Sequence, residues 1–124
     1  MRKADKIKIS EIQRLRKESH SFYLKKSEVY RAFTKMESQT YRDGALKKMN
    51  KELIAIGISV AINCESCMEW HISQAINDGA KRNEILEAVE VGIEMSGGPG
   101  TVSARFALQV INFYQEEKSG ISKE

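Results

Sequence analysis

Apolar positions along the chain recur every three or four residues, the spacing of one face of an α-helix. From Ser10 onward Ile12, Leu15, Ser19, Phe22 and Tyr23 keep that spacing among charged neighbours, which predicts a first amphipathic helix ending near Lys25. Ser27 is suited to cap a second, in which Val29, Phe33 and Met36 stand at i, i+4 and i+7. The period lapses through Ser38-Gln39-Thr40-Tyr41-Arg42-Asp43-Gly44, where Asp-Gly signals a turn. A third helix is predicted from around Leu46 to Ile62, and its Leu53, Ile54, Ile56, Gly57, Val60 and Ala61 form an apolar surface broad enough for the centre of a core.

Asn63 readily ends one helix and caps the next. The fourth helix then runs through Trp70, Ile72, Ala75 and Ile76 to a stop at Asp78-Gly79. Asn83 is expected to cap a fifth, apolar over much of its circumference through Ile85, Leu86, Ala88, Val89, Val91, Gly92, Ile93 and Met95. Such a helix wants burial on more than one side, part of it against another subunit. Ser96-Gly97-Gly98-Pro99-Gly100 breaks the pattern. A phosphate-binding loop is excluded there, because no strand precedes the glycines and no Lys-Ser/Thr pair follows them. A last helix is expected from near Thr101, carrying Val102, Phe106, Leu108, Val110, Ile111 and Phe113, with a polar, frayed tail from Gln115 to Glu124.

The pattern therefore predicts an all-α fold of about six helices in one domain spanning residues 1–124. Length agrees, since 124 residues support one modest core. A single proline and eight glycines leave long stretches free of helix breakers. With 41% hydrophobic and 30% charged residues the chain reads as a soluble globular protein, with no apolar run of membrane length. The start, Met1-Arg2-Lys3-Ala4-Asp5-Lys6, is charged and leads into no apolar signal core, so the expected location is the cytoplasm. Net charge is only +3, and Lys6, Lys8, Arg14, Arg16, Lys17, Lys25 and Lys26 are interleaved with acids. These are read as solvated helix faces rather than a nucleic-acid stripe.

The chemistry concentrates in Cys64-Glu65-Ser66-Cys67-Met68-Glu69-Trp70-His71. On a helix, Cys64, Cys67 and His71 fall at about 0°, 300° and 340°, within one arc. Two thiols one turn apart can close a disulfide, and an imidazole one turn further on can exchange a proton with them. A helix starting at Asn63 puts Cys64 in its first turn, where free N–H groups favour a thiolate, although Glu65 opposes this with its own charge. A cytoplasmic CxxC is more often catalytic than a structural staple. Zinc is the competing reading, with Cys64, Cys67 and His71 as three ligands. A structural site wants four, in a loop, and only His20 or a carboxylate remains. His20 is otherwise read as a surface or rim residue, and Trp70 as packing in the core or at a subunit contact. If the chain reverses at Asn63, Glu52 lies about 16 Å before the turn and His71 about 12 Å after it, near enough for the carboxylate to orient the imidazole. An exposed acid in a first turn is the alternative for Glu52.

The order of these signals resembles the carboxymuconolactone decarboxylase-like superfamily in its AhpD-like alkylhydroperoxidase branch. The residues that carry it are Leu46-Lys47-Lys48-Met49-Asn50-Lys51-Glu52-Leu53-Ile54, Asn63-Cys64-Glu65-Ser66-Cys67 with His71, Asp78-Gly79-Ala80, Glu84-Ile85-Leu86-Glu87-Ala88 and Ser96-Gly97-Gly98-Pro99, over roughly Tyr30 to Tyr114. The resemblance implies a cofactor-free thiol peroxidase or disulfide oxidoreductase. In it, Glu52 and His71 relay protons, Cys67 attacks a small hydroperoxide, Cys64 resolves the product into a disulfide, and a thiol or dithiol reductant protein restores the pair. It also implies a homotrimer or homohexamer. One departure stands out: hydroperoxidase members often carry histidine just before the second cysteine, where this chain has Ser66, whose hydroxyl cannot act as a base near neutral pH. Non-redox chemistry on a small organic acid, as in the decarboxylase branch, is the alternative on the same scaffold.

Overall fold

Six helices and no strand make up the described part of the computed structural model, which covers residues 1–119 and the side chains as far as Glu117. They are α1 (Lys3–Lys26), α2 (Glu28–Thr40), α3 (Lys48–Ala61), α4 (Glu65–Asn77), α5 (Arg82–Ser96) and α6 (Gly98–Ser119). The all-α reading from periodicity is borne out.

Helix α3 is central and packs against α4, α5 and α6, with Ile56 and Val60 fully buried. The core is completed by Met68, Ile72 and Ala75 from α4, Ile85 and Val89 from α5, and Phe106, Ala107, Val110 and Ile111 from α6. Where α3 and α5 cross, two glycines let the backbones almost touch. A Cβ on Gly92 would lie 2.4 Å from the Gly57 carbonyl oxygen and 2.9 Å from Val60 Cβ. No side chain fits there without separating the helices.

Several boundaries move from their expected places, each for a physical reason. Helix α1 begins at Lys3 rather than Ser10, because Ile9 drops fully buried into the core and extends the helix beyond its charged stretch. Helix α3 begins at Lys48, two residues after Leu46, its first free N–H held by the Asp43 carboxylate at 2.7 Å. Lys81, not Asn83, caps α5, and its N–H donates to Glu84 at 2.8 Å. Helix α6 starts at Gly98, ahead of Thr101, since proline is compatible with a first helical turn and the positive φ needed for the break, 73°, falls on Gly97. The expected frayed tail is helical through Ser119, and residues 120–124 lie outside the described part.

Helices α3 and α4 form an antiparallel hairpin whose turn is set by Asn63. Its φ of 54° is the left-handed value that asparagine tolerates, and the turn closes with Asn63 N–H to Val60 O at 3.2 Å and Cys64 N–H to Ser59 O at 3.0 Å. The Asn63 side chain accepts a hydrogen bond from Ser103 Oγ of α6 at 2.9 Å, which ties the turn to the core.

The first half of α1 lies on α4 and α6. Beyond Arg16 the helix leaves the body, and α2 folds back on its end to form an arm. The arm is clasped by the Tyr23 and Tyr30 rings at 5.5 Å, by His20 to Tyr30 Oη at 2.8 Å and by Arg31 to the Leu24 carbonyl at 2.6 Å.

Candidate active site

Cys64 is the N-cap of α4, one residue outside the helix rather than in its first turn as expected. Its own sulfur takes the capping role assigned to Asn63, accepting the Cys67 N–H at 3.2 Å. Cys64 and Cys67 are joined as a disulfide with their Cα atoms 5.2 Å apart, and both are half-buried. In the reduced protein, a Cys64 thiolate at this position faces the unpaired N–H groups and positive end of α4, which lower a cysteine pKa. Glu65, which opposes that effect, forms an exposed ion pair with Lys8 at 3.1 Å, so part of its charge is offset.

One turn beyond Cys67 on the same face stands His71, its side chain 14% exposed. Its Nδ1 lies 2.7 Å from Glu52 Oε1, and Glu52 is buried. The hairpin thus brings the two together directly, and the exposed alternative for Glu52 does not hold. Burial by itself raises the Glu52 carboxyl pKa. The hydrogen bonds from His71 and Lys48 and their charges outweigh it and hold the group below its ordinary value. An ionised carboxylate only accepts, so His71 Nδ1 carries a proton toward Glu52, and Nε2 is the ring nitrogen this contact does not engage.

Two neighbours not singled out by the sequence pattern complete the surroundings. Lys48 Nζ reaches Glu52 Oε2 at 3.0 Å, Asp78 Oδ2 at 2.8 Å and Gln74 Oε1 at 3.4 Å, which clamps the start of α3 to the end of α4. The Lys48-Glu52 spacing of i, i+4 is the one trace of this in the sequence. Tyr41, at the end of α2, lays its ring over the imidazole with centroids 5.3 Å apart. Its hydroxyl is pushed above the ordinary tyrosine value by burial, then by the negative charges of Glu52 and Glu37.

On another face of α4, Glu69 is completely buried and accepts from Arg16, Tyr114 Oη and, at 3.4 Å, Gln13. This network pins α1 and α6 to the helix that carries the cysteines, and Arg16 also lies 4.8 Å over the half-buried Trp70 ring. His20 sits exposed in the arm, hydrogen-bonded to Tyr30. Among the described residues, no cluster of three or more His, Cys, Asp or Glu side chains is arranged to hold a metal ion. Nor is any described helix long and apolar enough to cross a membrane.

The profile of the carboxymuconolactone decarboxylase family matches residues 27–110, most of the chain. The chain belongs to that family. An uncharacterised protein of Cupriavidus necator is 39% identical over 77 residues, 62% of this chain and 68% of the relative. The crystal structure of a carboxymuconolactone decarboxylase family protein from Legionella pneumophila superposes with a TM-score of 0.79 at 30% identity, over 86% of this chain and 96% of that one. A family protein from Thermotoga maritima, described with a possible part in an antioxidative response, shares the fold at TM-score 0.80 and 24% identity, over 90% and 97% of the two chains.

Proposed function

We propose that this family member is a thiol-dependent hydroperoxide reductase or disulfide oxidoreductase working through Cys64 and Cys67, with His71 and Glu52 as its proton relay. The observation that carries this reading is the half-buried cysteine pair at the start of α4 on the same helical face as His71, whose Nδ1 is held 2.7 Å from a buried carboxylate. That contact leaves Nε2 free to take the Cys67 proton. The Thermotoga maritima protein that shares the fold is described as possibly involved in an antioxidative response.

In the reaction, the Cys67 thiolate attacks the terminal oxygen of ROOH. The O–O bond breaks, the alkoxide takes a proton from the His71 imidazolium, and Cys67 becomes a sulfenic acid. The Cys64 thiol then attacks that sulfur, forming the disulfide as water leaves. An external dithiol reduces the pair by two successive exchanges and is itself oxidised to a disulfide. Cys64 is the better leaving thiolate in the first exchange, since the α4 N-terminus stabilises its charge. With Ser66 exposed where relatives of the hydroperoxidase branch often have histidine, a single imidazole does the proton work. Disulfide exchange is then favoured over fast peroxide turnover.

The test is dithiol-dependent reduction of an alkyl hydroperoxide and of a small disulfide, with Cys67→Ser as background. Turnover of neither substrate above that background rejects the reading, and activity on a small organic acid that survives alkylation of both thiols points to the non-redox alternative.

A further inference from the structure

A lysine ammonium has three N–H donors, and Lys48 engages an acceptor with each of them. Its Nζ reaches Glu52 Oε2 at 3.0 Å, one turn along α3, and Asp78 Oδ2 at 2.8 Å and Gln74 Oε1 at 3.4 Å at the end of α4. Glu52 is only 2% exposed, so almost no water solvates its carboxylate and the charged form depends on what it touches. One oxygen meets the ammonium and the other meets His71 Nδ1 at 2.7 Å. A carboxylate held on both oxygens is fixed in rotation as well as in charge.

The proton between Glu52 and His71 has two places to sit. On Nδ1 it leaves Nε2 as the proposed base; on the carboxyl it makes Nδ1 an acceptor, and the ring's own proton then occupies Nε2. A cation against the far carboxylate oxygen favours the first arrangement. We infer that Lys48 is a positioning residue: anchored by Asp78 and Gln74, its ammonium keeps Glu52 a carboxylate with Oε1 turned to His71, so that the shared proton stays on Nδ1. The inference rests on the thiol-based function proposed above, which requires Nε2 to be the base. Asp78 anchors the ammonium but acts on the pair with the opposite sign, through its own negative charge. No other group facing the pair among the described residues supplies that cation. Tyr41, over the imidazole from the end of α2, is uncharged at neutral pH, since burial and the charges of Glu52 and Glu37 push its hydroxyl above the ordinary value. Cys64 and Cys67 share the α4 face of His71, α5 sets Glu84 and Glu87 along the far face of α3 beside Leu53 and Ile54, and α6 brings Phe106, Ala107 and Val110 into the core.

The test follows the acid limb of kcat/KM for hydroperoxide reduction and, in the reduced full chain without turnover, the pH titration of the Glu52 carboxyl ¹³C and His71 ¹⁵N signals. The two groups titrate as a pair. Lys48→Met moves the pair's proton uptake to higher pH by about one unit, whereas Lys48→Arg, which keeps the charge, stays near wild type. Asp78→Asn moves it to lower pH. Lys48→Met and Asp78→Asn cut the same tie between α3 and α4, so a clamp with no electrostatic part would shift both in one direction, and that result overturns the inference. An unmoved titration in Lys48→Met, or an arginine variant that behaves like the methionine one, also overturns it. Should Lys48→Met lose its helical circular dichroism, Asp78→Asn decides: a downward shift supports the inference, and any other result refutes it. A wild type that reduces neither hydroperoxide nor disulfide rejects the thiol-based function, and the two spectroscopic titrations judge Lys48 independently of that outcome.

Discussion

Replacing Glu52 with glutamine isolates the electrostatics of the site, since volume is kept and one charge is removed. The carboxylate accepts from His71 Nδ1 at 2.7 Å and from Lys48 Nζ at 3.0 Å. An amide oxygen can keep only one of these bonds. Its nitrogen is a donor, and it must face the other partner. Lys48 cannot accept, so the amide oxygen turns to Lys48 and the NH2 group to His71. Nδ1 must then accept, the ring proton moves to Nε2, and the proposed base is lost. Loss of general-base catalysis costs about 10²–10⁴ in rate. One charge-assisted hydrogen bond lost is worth about 1.5–3 kcal/mol of stability, and Lys48 retains Asp78 and Gln74 to limit further damage. The rate is read from hydroperoxide consumption under a dithiol, the tautomer from ¹⁵N chemical shifts of His71, and stability from urea unfolding. Because the folded Glu52 carboxyl titrates below its ordinary value, the stability advantage of wild type over Glu52→Gln is complete above about pH 4.3. It disappears as pH falls through the lower, folded value. A variant with wild-type rate and an unchanged Nδ1–H tautomer would refute the relay.

Three further outcomes follow from the packing. Gly92→Ala forces α3 and α5 apart at a 2.4 Å clash with the Gly57 carbonyl and lowers stability by about 1–3 kcal/mol, measured by urea unfolding. Asn63→Ala loses both the side chain that eases the left-handed conformation and the Ser103 bond, the bond alone being worth about 0.5–1.5 kcal/mol; thermal melting should fall, and Asn63→Gly should recover part of the loss. Tyr114, its hydroxyl pushed up to about 12 by burial and by Glu69, should ionise late in an ultraviolet pH titration, and Tyr114→Phe should remove that step. The stability it contributes is whole below the ordinary tyrosine value near 10 and is lost as pH rises through about 12.

The six helices were legible because helical periodicity is a local property. Residues such as Ile56, Val60, Ile72 and Val89 announce their faces by spacing alone, and the CxxC with His71 shares a face for the same reason. Glu52 could be paired with His71 because a hairpin fixes which residues are level, and Asn63 marked its turn. Ile9 could not be recognised as core, since what buries it is the body beneath α1 rather than its neighbours in the chain. Gly98-Pro99-Gly100 looked like a breaker, but Gly100 is needed for close approach: a Cβ there would meet Ser96 Oγ at 2.1 Å.

By itself, then, the sequence determined the helices, their apolar faces and the sulfur-imidazole alignment, all set by a repeat of 3.6 residues within one segment. Tertiary structure alone decided that Lys48 closes on Glu52 and Asp78 together, that Tyr41 covers His71, and that Glu69 is buried against Arg16 and Tyr114. These contacts join residues as many as 53 positions apart, and their geometry depends on how helices pack in register.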